Sequence, residues 1–210
     1  LFSRTNKGHS LAELVVASGL LFAMVAGVAL VFQASIHYYR RSSAQVEIEQ
    51  RALTSLRHLS RELSEAAATS LVVGNEGVVF ASPRDSAGKI RNDSDGRPLW
   101  HAMVCYQRSP SAGTDCLLRQ ESVLPTPVTE PPNPLDFSPV RDVEWFRTSS
   151  GLAGRVIARD VDAFEVVRET LNSGLTRSEV LLVELTAGSR DHGERNIFSV
   201  KLQTRVFPRN

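Results

Sequence analysis

The sequence predicts an α+β protein in which one long N-terminal α-helix, apolar in its first half and amphipathic in its second, packs on an antiparallel β-sheet. Three observations carry this. Residues 14–32 contain no charge, residues 28–73 contain neither Gly nor Pro, and from residue 71 onward short apolar or alternating runs are separated by turn residues. The expected organisation is a leader over 1–8, a membrane or core helix over 9–33, an amphipathic continuation over 34–70, and a β-rich globular domain over 71–210.

Helical rise of about 1.5 Å per residue lets residues 14–32 cross the roughly 30 Å hydrocarbon core of a bilayer. Glu13 stands at the lip of this run, where an uncompensated carboxylate would cost a few kcal/mol. A cut after Gly8 would place the new α-amine of His9 four residues before Glu13, in helical register with it or with the Glu13 of a neighbouring copy. A secretory signal cleaved near Gly27-Val28-Ala29 is the competing reading, but the apolar run is longer than such signals use and an acid at its start is out of place. Within the span Gly19, Ala23 and Gly27 recur every four residues, a stripe of small side chains that lets helices approach closely.

The helix is expected to continue to about residue 69. Val46, Leu53, Leu56, Leu63 and Ala67, with Ala52, Leu59 and Ala66 beside them, form the apolar stripe. Arg51, Arg57, Arg61, Glu62 and Glu65 are assigned to other faces. A coiled coil is disfavoured by Glu49 and Ser60 at seam positions, so the stripe is expected to lie on the chain's own sheet.

In the β-rich part, 71–73 and 78–81 read as a hairpin around Gly74-Asn75-Glu76-Gly77. Asn92-Asp93-Ser94-Asp95-Gly96 reads as an Asp-Gly turn, since an EF-hand would need acids where Arg91 and Ala102 stand. Residues 99–107 alternate, with Trp100, Ala102, Val104 and Tyr106 on one side, and a loop is expected over 107–115. Cys105 and Cys116 flank that loop, where a hairpin would bring them within disulfide distance. A disulfide would put the domain in an oxidising compartment and fix an orientation that Arg4 and Lys7, balanced by Arg40 and Arg41, leave open. Two buried thiols, or a metal held by two thiols, are the alternatives. Six prolines over 125–139 predict an exposed extended loop. Residues 155–169, 179–187 and 196–207 predict three strands. The last places Phe198, Val200, Leu202 and Val206 inward and Ser199, Lys201, Gln203 and Arg205 outward, a sheet with one wet face.

A formal net charge of +1 with 22% charged residues excludes the basic excess of a nucleic-acid binder. There is no Gly-x-Ser-x-Gly elbow, His-Glu-x-x-His pair, phosphate loop or dinucleotide fingerprint, so neither an enzyme nor a cofactor is expected. His37, His58 and His192 read as solvated and His101 as a packed strand residue.

Gly8-His9-Ser10-Leu11-Ala12-Glu13-Leu14, with a basic leader before it and a long helix after it, resembles the prepilin signal of type IV pilins and type II secretion pseudopilins. His9 stands where that family usually has Phe, and Ala12 where it usually has a larger aliphatic residue. Arg57-His58-Leu59-Ser60-Arg61-Glu62-Leu63, Val78-Val79-Phe80, residues 100–106, residues 156–164 and the final 204–210 resemble the minor pilins of W type and minor pseudopilins of J type. The resemblance implies cleavage after Gly8 by a prepilin peptidase, N-methylation at His9 and subunit docking through Glu13. It also implies insertion in the bacterial inner membrane with the C-terminal domain outside the cytoplasm. The expected partners are an inner-membrane assembly platform, other minor subunits and the major filament subunit, with a place at the filament tip. A membrane-tethered binding domain that never assembles is the rival expectation.

Overall fold

The computed structural model describes residues 10–85, 87–111, 114–173, 176–191 and 194–209. The expected helix is there as α1, Leu11–Glu65, closed by a 3-10 turn at Ala68–Ser70. Contacts divide the chain into an N-terminal unit ending at Gln45 and a second beginning at Val46.

In the first unit the helix carries no charge from Leu14 to Phe32, while His37, Arg40 and Arg41 follow on its last turns. Its membrane-length window has none of its surface covered by the rest of the described chain. It is long and apolar enough to cross a membrane once.

Among the described residues the second unit holds the rest of α1, eight strands in two antiparallel sheets and one short helix. The five-stranded sheet has the order β1 (Val72–Gly74), β2 (Gly77–Ser82), β3 (Trp100–Ser111), β4 (Thr114–Val128) and β5 (Gly154–Arg159). The three-stranded sheet is β6 (Val161–Ser173), β7 (Thr176–Asp191) and β8 (Glu194–Val206). Ala52, Leu56, Leu59 and Leu63 of α1 close over a core with Val78, Phe80, Val104, Tyr106 and Leu117 of the first sheet and Phe164, Val166, Leu181 and Val183 of the second. Leu59 and Leu63 are completely buried, worth roughly 1.5–3 kcal/mol each. The helix therefore packs on its own sheet, as the apolar spacing predicts, although Val46 and Leu53 stay outside the buried stripe.

Several expectations are corrected by the packing. The stretch 155–169 is two strands in different sheets, broken at Asp160, whose φ of 59° turns the chain and whose carbonyl accepts the Gly188 N–H. The three-stranded sheet has the expected wet face, with Val206 buried and Ser199, Lys201, Gln203 and Arg205 exposed; the Phe198 side chain lies outside the described residues. The five-stranded sheet has no such face. Its far side carries a second core of Val79, Ala81, Met103, Cys105 and Leu124 under α2 (Val143–Thr148), so every residue of β2 is buried. Trp100 belongs to this second core and not to the side of Val104 and Tyr106, because a register shift between Trp100 and Ala102 turns it over.

The proline-rich stretch is not simply a loop. Pro125 and Pro127 lie within β4, beyond the last residue paired with β5, where the strand is an edge and a missing N–H costs no ladder bond. The remainder folds over the second core through a 3-10 turn at Pro134–Asp136 and α2, whose N-cap Asp142 accepts the Trp145 N–H at 2.8 Å. The 92–96 segment is the expected turn: Asp93 Oδ1 accepts the N–H groups of Asp95 and Arg97, and Gly96 has φ 79°.

Candidate functional site

The sequence offers two places for function, the head of the apolar helix and the polar residues carried on its second half. At the head, Ser10 precedes the first helical residue and Glu13 stands three positions on, the pattern of a capping box. The Ser10 N–H donates to Glu13 Oε2 at 3.0 Å and the Glu13 N–H to Ser10 Oγ at 3.3 Å. The Glu13 carboxylate thus satisfies a backbone donor of its own helix and lies near the helix's positive end, which lowers the cost of a charge at the edge of an apolar run. Gly8 and His9, with the cleavage and methylation expected there, lie outside the described residues. A Cβ added at Gly19 or Gly27 would meet nothing within 4 Å, so the small-residue stripe faces open space. Leu20, Phe22, Met24 and Phe32 around it are likewise exposed.

The second half of α1 carries a cluster that the sequence does not announce. Glu62, assigned above to an outer face, sits at the edge of the buried stripe and is only 7% exposed. A carboxylate there must be compensated. Arg119 of β4 supplies the compensation, its Nε lying 3.2 and 3.1 Å from the two Glu62 oxygens while its Nη1 reaches Glu121 at 2.9 Å. Burial works against the charge of Arg119, but the Glu62 charge and the hydrogen bonds that Arg119 donates to Glu121 and Glu62 outweigh it and hold the guanidinium firmly protonated.

The Tyr106 hydroxyl donates to Glu62 Oε2 at 3.0 Å, and His58 Nδ1 lies 2.8 Å from the same hydroxyl. The single hydroxyl proton being committed to Glu62, His58 is the donor on that side through Nδ1–H. His58 is exposed, as expected, but one of its ring nitrogens is engaged by Tyr106 rather than by solvent. Burial, then the Glu62 charge, pushes the Tyr106 phenol well above its ordinary range. The residues come from 58, 62, 106, 119 and 121. Only two pairs are close in sequence, His58 with Glu62 at one helical turn and Arg119 with Glu121 on one face of a strand, and neither spacing by itself points to the other.

Beside this cluster, Arg84 grips Glu65 through two nitrogens, Nε reaching Oε2 at 2.6 Å. A cavity of about 270 Å³ opens between α1, the turn after β2, and strands β4 and β5.

The expected disulfide is not formed. The β3–β4 ladder runs on to Ser111 opposite Thr114, through most of the stretch expected to be a loop, and this fixes which residues face each other. Cys105 faces Gln120, while Cys116 faces Ser109, four residues farther along β3. Both thiols are buried. Cys116 Sγ donates to the Ser109 carbonyl at 3.1 Å, and burial pushes the Cys105 thiol far above its usual range. The cysteines give no information on the side of the membrane. Among the described residues, no group of three or more His, Cys, Asp or Glu is placed to hold a metal ion.

Compared with known proteins, the chain matches no family model, no curated protein and no solved structure.

Proposed function

We propose that this chain is a minor pilin or pseudopilin, a structural subunit that primes or caps a type IV pilus-like or type II secretion filament after its leader is removed. The observation that carries the reading is the continuity of α1. A wholly exposed apolar helix headed by Glu13 runs without a break into the helix that anchors the core of a folded α+β domain. In a bilayer the first half spans. In a filament the same surface, with its Gly19, Ala23 and Gly27 stripe, would be covered by the helices of neighbouring subunits. The resemblance of residues 8–14 to the prepilin signal supplies the expected processing by a prepilin peptidase, His9 methylation and docking by Glu13. It also supplies the expected partners, an inner-membrane assembly platform, the major subunit and other minor subunits.

A tip position follows from bulk. A helical filament repeats each contact along its length, so a head that clashes with the next subunit would clash at every step. The domain after the helix carries an additional 3-10 turn, α2 and the Pro125 to Pro139 wrap, which favours the one place with no neighbour above.

The rival reading, a membrane-tethered binding domain, is favoured by the capping box, which gives Glu13 a role inside its own helix. The mass of the N-terminal peptide from host membranes separates the two. The filament reading expects a mature chain that begins at His9, and a chain retaining Lys7 and Gly8 would end it.

A further inference from the structure

We infer that the cavity beside the Glu62 cluster is a binding site for a carboxylate, and the inference does not rest on the filament reading. Its basis is a conflict of charge built into the sheet. In the β4–β5 ladder Arg119 stands directly opposite Arg155, on the face toward α1. Neighbouring like charges on one face of a sheet repel. Strand pairing puts their Cβ atoms roughly 5 Å apart, and both residues line the same cavity.

The acids around the cavity do not resolve the conflict for Arg155. Glu62 and Glu121 are held by Arg119, Glu65 by Arg84 with Arg61 at 3.5 Å, and Asp85 by Arg91 and by the N–H groups of Ala87 and Lys89. The Asp85 pKa is lowered accordingly, first by the Lys89 N–H and then by Arg91 despite some desolvation, so Asp85 stays ionised and committed. Among the described residues no acid pairs with Arg155. Arg119 uses Nε and Nη1, and its Nη2 meets no acceptor among the described residues. Two guanidiniums on adjacent strands with donors to spare suit a planar oxyanion, which each can meet with paired N–H groups. About 270 Å³ admits a small dicarboxylate or one glutamate side chain. The ligand is then either a free small acid or an acidic side chain of another polypeptide.

The test uses the full chain in detergent micelles at constant ionic strength. Succinate is titrated as the free probe. A capped tetrapeptide with two glutamates, against its glutamine counterpart, is the side-chain probe. Saturable binding of at least one acidic probe is expected, weakened about tenfold in Arg155→Gln, equivalent to ~1.4 kcal/mol. Binding should be unchanged in Arg205→Gln, whose arginine pairs with Glu169 in the other sheet. Succinate binding identifies a free acid, and binding of the glutamate peptide alone identifies a side chain. Without ligand, Arg155→Gln should melt no lower than the parent, since it removes a repulsion. Failure of both probes to saturate, equal binding by Arg155→Gln, or a clear drop in its melting temperature would each overturn the inference.

Discussion

Arg119 on β4 and Glu62 on α1 form a charge pair inside the fold, Nε standing 3.1 and 3.2 Å from the two carboxylate oxygens, with the phenol of Tyr106 donating to the same carboxylate. The pair joins helix to sheet at the one charged residue among those that α1 buries. Removing Glu62 leaves Arg119 with Glu121 as its remaining partner, so Glu62→Ala should cost about 3 kcal/mol, the low end for a broken buried pair. Glu62→Gln, which keeps an acceptor for Tyr106, should cost less. Urea denaturation followed by the fluorescence of buried Trp100 would read both, and equal small losses would mean that the pair contributes little.

The two cysteines should behave as inaccessible thiols. In the native protein neither is expected to react with a thiol reagent, and in denaturant without reductant both should. The intact mass should show no loss of two hydrogens. A Cys105 to Cys116 crosslink in material from an oxidising compartment would require the β3–β4 register to slip by four residues, and its detection would refute the ladder described here.

Gly77 is fixed by its neighbours. A Cβ there would lie 2.7 Å from Val143 Cγ1 and 3.0 Å from the Tyr106 carbonyl oxygen, so Gly77→Ala should destabilise by roughly 1–3 kcal/mol through overpacking. Much of that loss should return when Val143→Ala is added, a coupling that a double-mutant cycle measures. Strict additivity would show that the contact with α2 is not the cause.

Alkaline pH should unfold the second unit. Burial first, aided for Tyr106 by the Glu62 charge, raises the pKa of both Cys105 and Tyr106 in the folded chain. The unfolded groups ionise near pH ~8.5 and ~10. Stability is therefore fully present below those values and is lost as pH rises through them toward the folded values, by at most about 1.4 kcal/mol per pH unit for each group. Cys105→Ala should remove the part of the slope that begins lower, and Tyr106→Phe the part that begins higher. Melting curves between pH 7 and 11 are the measurement, and unchanged slopes in both variants would contradict the assignment.

Glu13→Gln separates capping from docking. A glutamine oxygen still accepts the Ser10 N–H, so helix content and membrane insertion should hold while the charge is gone. On the filament reading, co-purification with partner subunits should fall severalfold. Ser10→Ala, which removes one cap bond, should weaken the helix start by ~1 kcal/mol without that loss of partners. Unchanged co-purification in Glu13→Gln would leave the carboxylate a capping residue only.

The sequence by itself determined what depends on neighbours along the chain. The apolar run after Glu13 and the Leu56, Leu59, Leu63 spacing specify a helix, and the alternation of residues 199–206 specifies a strand with a wet and a dry face, because each pattern is a local period of the backbone. At the head of α1 the place of Glu13 at the lip of the apolar run was legible, whereas its exchange of hydrogen bonds with Ser10 came from the structure. Tertiary structure alone decided whatever depends on a partner far along the chain. Glu62 is buried only because Arg119 reaches it from a strand 57 residues on. Cys105 and Cys116 miss each other because the β3–β4 ladder sets each opposite another residue, and Trp100 changes faces at a register shift. Residues 155–169, continuous by composition, divide between two sheets at Asp160, since a break of one residue leaves almost no trace in a periodic pattern. The repulsion between Arg119 and Arg155, on which the carboxylate site rests, exists only once β4 and β5 lie side by side.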